Sequence, residues 1–365
     1  MPSALQPRVF ATADIGAAAL DRLRAAGYEV EVYPRIEAPP YELILARVQS
    51  GIAGLITTLR DRIDEGIFAA GAAAGLKVVA QDAVGFDNID RAAADRHRIP
   101  FTHTPGVLTD ATAEFAFFIL GAVARKLWPA EKLVREQRWG AWHPYHPMLG
   151  DEVTGKTVAV VGLGRIGRAF AQKCLGFAMH LLCVEPAGAP GADGFIAGAS
   201  RVLEAFAALA PGAPPGSIRL VSLREALAAA DFVSLHVPLL EGPNGTRHLI
   251  NDETLGWMKP TAYLINTSRG PVVEEAALAR ALLAGRLAGA ALDVFATEPL
   301  PAASPLRDPR LEDRLRLYPH FASAGAITRL SPDPDRGMAG RCVQALRDVI
   351  ERGDSPFIVN REIFA

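Results

Sequence analysis

Ten residues constrain this chain more than any others: Val158-Ala159-Val160-Val161-Gly162-Leu163-Gly164-Arg165-Ile166-Gly167. The four apolar residues in a row predict a strand buried on both faces. The next six spell G-x-G-x-x-G, and Arg168 to Lys173 continues with helical spacing. The glycines therefore fall between a strand and a helix, which is the context the dinucleotide-binding fingerprint requires. Gly162 permits the tight turn, Gly164 lets a pyrophosphate approach the backbone, and Gly167 lets the helix pack close to the strand. The helix N-terminus offers unpaired N–H groups to the phosphates. In a chain with 33 glycines the motif alone also fits an ordinary strand-to-helix turn.

The next strand separates these readings. Leu181-Leu182-Cys183-Val184 is apolar and ends in Glu185, about 20 residues past the glycines, where a carboxylate would bind the adenosine ribose hydroxyls. Its alternative is a solvated strand end. Pro186, Ala187 and Gly188 follow, with no Arg or Lys to hold a 2′-phosphate, so NAD(H) is expected over NADP(H).

At 365 residues the chain has room for two cores. A net charge of −2 gives no basic face for nucleic acid. No apolar run approaches the length of a membrane span, and Met1 to Arg8 lacks a signal peptide's apolar core. Cys174, Cys183 and Cys342 lack metal-ligand spacing and read as reduced core thiols of a cytoplasmic protein, with no metal site.

Before the fingerprint, strands over 9–12, 28–33, 54–57 and 77–80 alternate with helices at 15–26 and 41–50, which implies a parallel α/β domain. Ala83 to Asp90 follows a buried strand and is either a ligand-binding turn or a plain β-to-α turn. Thr102 to Gly106 reads as a linker. Thr109 or Asp110 would cap a long apolar helix through Phe115 to Leu127. Trp139-Gly140-Ala141-Trp142-His143-Pro144 lines a pocket or interface, or packs between domains. Gly188 to Ser217 is nearly all Ala, Gly and Pro with one amphipathic piece, Arg201 to Leu209, and reads as a surface insertion. Strands then recur at 230–238, 262–267, 289–295 and 315–320, completing a dinucleotide-binding domain of five or six strands. A last helix, Arg336 to Arg352, would close back onto the first domain.

Arg269, Glu298 and His320 stand at later strand ends, which face the cofactor crevice of a doubly wound sheet. Singly, each reads as a solvated or structural group. Together they are the groups needed to reduce a 2-oxo acid. The Arg fork binds the substrate carboxylate. The His supplies a proton to the developing alkoxide. The carboxylate orients the imidazole and favours its cationic form.

Taken together, several stretches resemble the D-isomer-specific 2-hydroxyacid dehydrogenase family over nearly the whole chain. They are Val84 to Asp90, Thr104 to Glu114, Gly162 to Gly167, Asn266 to Gly270 with Val273-Glu274-Glu275, Leu292 to Phe295 with Glu298-Pro299, and Pro319-His320. The resemblance implies two doubly wound parallel-sheet domains: a Rossmann NAD-binding domain (106–324) inserted into a flavodoxin-like substrate domain (1–105 with 325–365). It implies that Arg269 binds substrate, that His320 is the acid/base with Glu298 as its partner, and that Val84 and Gly85 hold the substrate carboxylate from the other domain. Cofactor contacts would come from Thr112, Gly162, Gly164, Arg165, Ile166, Gly167, Glu185, Val237, Pro238, Thr267 and Asp293, with Asp293 at the nicotinamide carboxamide. The active site would lie between domains that close on the substrate. A homodimer is also implied.

Within the family, Gly106 to Glu114 and Trp142-His143-Pro144 make the chain most similar to glyoxylate/hydroxypyruvate reductases. Formate dehydrogenases carry Gln where Glu298 stands, and phosphite dehydrogenases Lys where Val84 stands, so both activities are disfavoured. The departures are the Gly188–Ser217 insertion, Ala322 in place of Gly, and Ser331 to Asp335. The resemblance implies NAD(H)-dependent interconversion of a small 2-oxo acid and its D-2-hydroxy acid. C-terminal binding protein corepressors share the family, so an NAD(H)-sensing binding protein is the alternative.

Overall fold

The computed structural model describes residues 6–146, 148–186, 189–209, 215–242 and 245–364. Residues 1–5 of the N-terminal segment lie outside these, as do Ala187, Gly188 and residues 210–214 of the Ala/Gly/Pro-rich stretch. The chain divides into two compact units, Met1–Leu108 with Ser323–Ala365, and Thr109–Ala322.

The first unit is built on five parallel strands: β1 (Arg8–Ala11), β2 (Glu29–Val32), β3 (Gly54–Thr57), β4 (Val78–Gln81) and β5 (Phe101–Thr102). Their order is β2-β1-β3-β4-β5, the doubly wound order of flavodoxin-like sheets. The two-residue β5 falls where the sequence pattern reads only a linker; so short a strand leaves no periodicity to detect. Successive side chains along β1 go to opposite faces. Val9 and Ala11 pack with the helices Ala17–Ala25 and Met338–Arg352, while Phe10 packs with Tyr41–Gln49 and Glu65–Ala74. The last helix thus supplies Ala339, Cys342, Val343 and Leu346 to a core begun more than 300 residues earlier.

The second unit holds seven parallel strands: β6 (Thr157–Val161), β7 (His180–Val184), β8 (Ser217–Leu220), β9 (Phe232–Leu235), β10 (Tyr263–Asn266), β11 (Gly289–Leu292) and β12 (Leu315–Leu317). The order β12-β11-β10-β9-β6-β7-β8 reverses direction at β6 and β9, the switch point where such sheets bind ligands. Along β6, Ala159 and Val161 enter one core and Val158 and Val160 the other.

Three local expectations change. The insertion carries an 18-residue helix, Ala192–Leu209, rather than a short piece from Arg201, and it ends in a strand, β8, which begins at Ser217. Alanine gives that helix its propensity, while an Ala/Gly face hides the amphipathic pattern; Ala192, Ala199 and Leu203 form the buried stripe. Thr109 and Asp110 stand inside the first turn of the helix Thr109–Ala124 rather than before it. That helix stops at Ala124, and a second runs Leu127–Arg135. All three cysteines are free and buried, and burial pushes the Cys183 thiol up to about 12.

Candidate active site

The three fingerprint glycines are each required for a different reason. Gly162 has φ +97°, and a Cβ there would lie 2.8 Å from the His236 carbonyl oxygen. A Cβ on Gly167 would lie 1.9 Å from the Gly162 carbonyl oxygen, so the helix Arg165–Leu175 can approach β6 only without a side chain there. A Cβ on Gly164 would meet nothing within 4 Å; no internal packing requires this glycine, which leaves approach from outside as its use. Arg165 is exposed at the first helical position and Ile166 is half-buried against the core. At the end of β7, Glu185 accepts a hydrogen bond from the Leu163 amide.

Val237 and Pro238 follow β9, and Thr267 follows β10 with its Oγ1 buried and without a hydrogen-bond partner. An exposed, glycine-opened helix N-terminus, a carboxylate at the neighbouring strand end and an orphaned hydroxyl fit a dinucleotide. Thr112 is buried in the first turn of the helix Thr109–Ala124.

Arg269, Glu298 and His320 come together at the C-terminal ends of β10, β11 and β12. Behind Arg269, buried Asn266 donates to the Arg269 carbonyl (2.9 Å) and accepts from the Ser268 amide (3.0 Å) and hydroxyl (2.8 Å). Gly270 packs so closely that a Cβ would sit 1.8 Å from the Phe295 carbonyl carbon. The His320 Nδ1 lies 2.8 Å from a Glu298 carboxylate oxygen, and the other oxygen accepts from the Phe295 amide at 2.9 Å. Burial raises Glu298, but the His320 hydrogen bond and charge, the Phe295 amide and the Arg269 charge together hold it below the usual carboxylate range.

His320 has φ 53°, a left-handed conformation that costs a non-glycine residue about 1–2 kcal/mol. Asp293 compensates. Its carbonyl accepts from the His320 amide (2.8 Å), and its carboxylate accepts from the Phe321 (2.7 Å) and Ala322 (2.8 Å) amides. Fully buried Asp293 therefore fixes the turn that carries the imidazole; burial raises its carboxyl, against the two amides. Nothing in the sequence pattern points to this positioning role, and Asp293 is expected there only as a cofactor contact.

His236 is a second residue that the sequence pattern does not single out. Its ring is pressed against Phe170 (4.8 Å between centroids) at the base of the glycine turn, and its Nε2 meets the Ser234 hydroxyl at 2.9 Å. Burial lowers it to about 3, so it stays neutral. Its position straight after an apolar strand was the available signal.

Val84 and Gly85 belong to the first unit. The turn is anchored through its carbonyls: His103 Nδ1 donates to Val84 (2.9 Å) and Gln81 to Gly85 (3.2 Å). Gln81 also bridges the Thr57 hydroxyl and the Asn88 amide oxygen. A polar network of this kind makes a rigid loop.

A fork-shaped cation beside an imidazole–carboxylate pair can fix a carboxylate and move a proton to or from an adjacent oxygen. Residues 117–322 match the family model described as D-isomer specific 2-hydroxyacid dehydrogenase, NAD binding domain. A glyoxylate reductase of Korarchaeum cryptofilum is 41% identical over 326 residues, 89% of each chain. The crystal structure of a Thermus thermophilus protein superposes with a TM-score of 0.81 at 39% identity, covering 96% of this chain and 99% of that one. An NADPH-dependent glyoxylate/hydroxypyruvate reductase from Sinorhizobium meliloti, solved with NADP and malonate, reaches 0.75 at 28% identity, covering 97% of each.

Proposed function

The chain belongs to the D-isomer-specific 2-hydroxyacid dehydrogenase family, and we propose that it interconverts a small 2-oxo acid of the glyoxylate or hydroxypyruvate kind and the D-2-hydroxy acid, using NAD(H). The observation that carries this reading is the His320–Glu298 pair, 2.8 Å apart at the sheet edge where the Arg269 charge also acts. When bound, the nicotinamide supplies or receives the hydride. Arg269 holds the substrate carboxylate and polarises the keto group. In the reducing direction His320 gives its proton to the oxygen as alkoxide charge develops, and Glu298 holds the ring and balances its cationic form. Asp293 keeps the His320 turn in place. The Val84 and Gly85 amides take the carboxylate within the first unit, which we assign to substrate.

NAD(H) is preferred to NADP(H) in this reading because Glu185 stands at the end of β7, where its charge would repel a 2′-phosphate. Exposed Phe118, Leu127, Trp128, Trp139 and Trp142 of the second unit support a homodimer. Three unpaired buried thiols suit the cytoplasm. Among the described residues no helix is long and apolar enough to cross a membrane.

The test is NADH oxidation followed by absorbance across a panel of 2-oxo acids. Turnover of glyoxylate or hydroxypyruvate is expected. Tight NADH binding with no turnover of any member would overturn the enzymatic reading in favour of a dinucleotide-sensing binding protein.

A further inference from the structure

Arg168, in the first turn of the fingerprint helix, joins the glycine turn to the segment that follows β7. Its Nε donates to the Leu163 carbonyl at 2.7 Å and its Nη2 to the Pro190 carbonyl at 2.9 Å. Its guanidinium lies over the Phe195 ring, 5.8 Å from the centroid. Gly191 has φ +75°, a conformation that L side chains rarely adopt, and a Cβ there would come within 3.2 Å of Nη1, so the chain passes close against the guanidinium. Leu163, between the first two fingerprint glycines, is thus held on two consecutive peptide planes: its amide by Glu185 and its carbonyl by Arg168.

We infer that Arg168 is a positioning residue for the dinucleotide, one that fixes Glu185 and the Pro190–Phe195 segment around an unphosphorylated adenosine ribose. The inference rests on the NAD(H) reading. A ribose diol needs a carboxylate oxygen at a set position, and one Glu185 oxygen is already oriented by the Leu163 amide. The carbonyl of the same residue lies on the next peptide plane and is held by Arg168, so Leu163 is tied on both sides and Arg168 limits how far the chain carrying that amide can turn. A cation this near the adenosine end would ordinarily suit a 2′-phosphate. Here Nε and Nη2 each donate to a backbone carbonyl and the guanidinium face lies over an aromatic ring, so the group is already engaged in tying the glycine turn to the Pro190–Phe195 segment. The Ala/Gly/Pro-rich insertion thereby acquires a role: Arg168 ties its Pro190–Phe195 segment to the glycine turn.

The test uses direct binding of NADH and NADPH by fluorescence titration of the full-length protein, with kcat measured alongside at saturating NADH. Arg168→Met keeps the aliphatic stem and removes the donors. It is expected to weaken NADH binding roughly tenfold while kcat stays within about twofold. Glu185→Ser is expected to improve NADPH binding, and adding Arg168→Met to it should leave that gain intact. Unchanged NADH affinity in Arg168→Met would overturn the inference. So would loss of the NADPH gain in the double variant, because Arg168 would then be a phosphate ligand. Should Arg168→Met fail to fold, Phe195→Ala loosens the same tether from the insertion side and should weaken NADH binding with kcat preserved; unaltered binding there also overturns it. An unsubstituted protein that binds NADPH more tightly than NADH removes the NAD(H) reading, whereas one that prefers NADH but fails the variant tests removes only the role of Arg168.

Discussion

At the scale of single residues, two carboxyl groups give opposite pH signatures. Glu298 is held low by its imidazole partner. Removing its charge withdraws a stabiliser of the cationic ring, so the proton that reduction needs is lost at lower pH. Glu298→Gln should therefore move the alkaline limb of the reduction profile to lower pH, and an unmoved limb would dismiss Glu298 as the partner. Replacing His320 or Arg269 by Ala should lower kcat/KM for the 2-oxo acid by about a hundredfold or more, and near-normal turnover in either would remove its assigned role. Asp82, following β4, behaves in the reverse sense. Burial pushes its carboxyl from 3.8 to about 7, against the Arg329 charge, and its Oδ1 has no hydrogen-bond partner. A carboxyl raised in the folded state keeps its proton there over an interval in which the unfolded chain releases it. Its contribution to stability is thus complete below the unfolded value and declines as pH rises towards about 7. Urea unfolding between these limits should show stability falling with pH in the native protein and a flatter profile in Asp82→Asn; parallel profiles would refute the assignment.

At the scale of elements, the strand–turn–helix unit separates packing from binding within six residues. Gly167→Ala forces a Cβ to within 1.9 Å of a backbone oxygen and should cost about 3 kcal/mol or more, seen as a lowered Tm. Gly164→Ala meets nothing within 4 Å, so Tm should hold while NADH affinity falls; equal Tm losses in the two variants would contradict this division. Much of this unit was legible in the sequence, because a buried strand, a glycine spacing and a helical repeat are all local signals. The ends of β10, β11 and β12 were legible too, since Asn266, Arg269, Asp293, Glu298 and His320 are polar residues closing apolar runs. What escaped was either too short or too uniform. β5 has two residues, and the helix Ala192–Leu209 hides its period in alanine and glycine. β8 has only one buried residue, Ile218. The long-range contacts of Arg168 with Pro190 and of Asp293 with the 321–322 amides escaped for another reason: a sequence shows which groups can hydrogen-bond, and only the fold brings them together.

At the scale of the whole molecule, the division into two units with separate cores has a thermodynamic consequence. Each sheet is covered on both faces by its own apolar clusters, so each has the means to unfold as its own cooperative block. The fingerprint glycines, Glu185 and Thr267 all belong to Thr109–Ala322. A ligand stabilises only the states that bind it, by RT ln(1 + [L]/Kd), or about 2.7 kcal/mol at a hundredfold excess over Kd. NADH alone should therefore slow hydrogen exchange of amides in β6, β7, β9 and β10 by up to about a hundredfold, while amides of β1 to β4 keep their rates. Two branches of chemistry are separated in this way, because a 2-oxo acid held by the Val84 and Gly85 amides would add protection at the end of β4 only when it is present as well. Exchange measured by mass spectrometry, with NADH and then with NADH and a non-reacting dicarboxylate, reads both. Equal slowing of the two sheets by NADH alone would mean that the molecule opens as one block, and the assignment of the cofactor to the second unit alone would lose its energetic support.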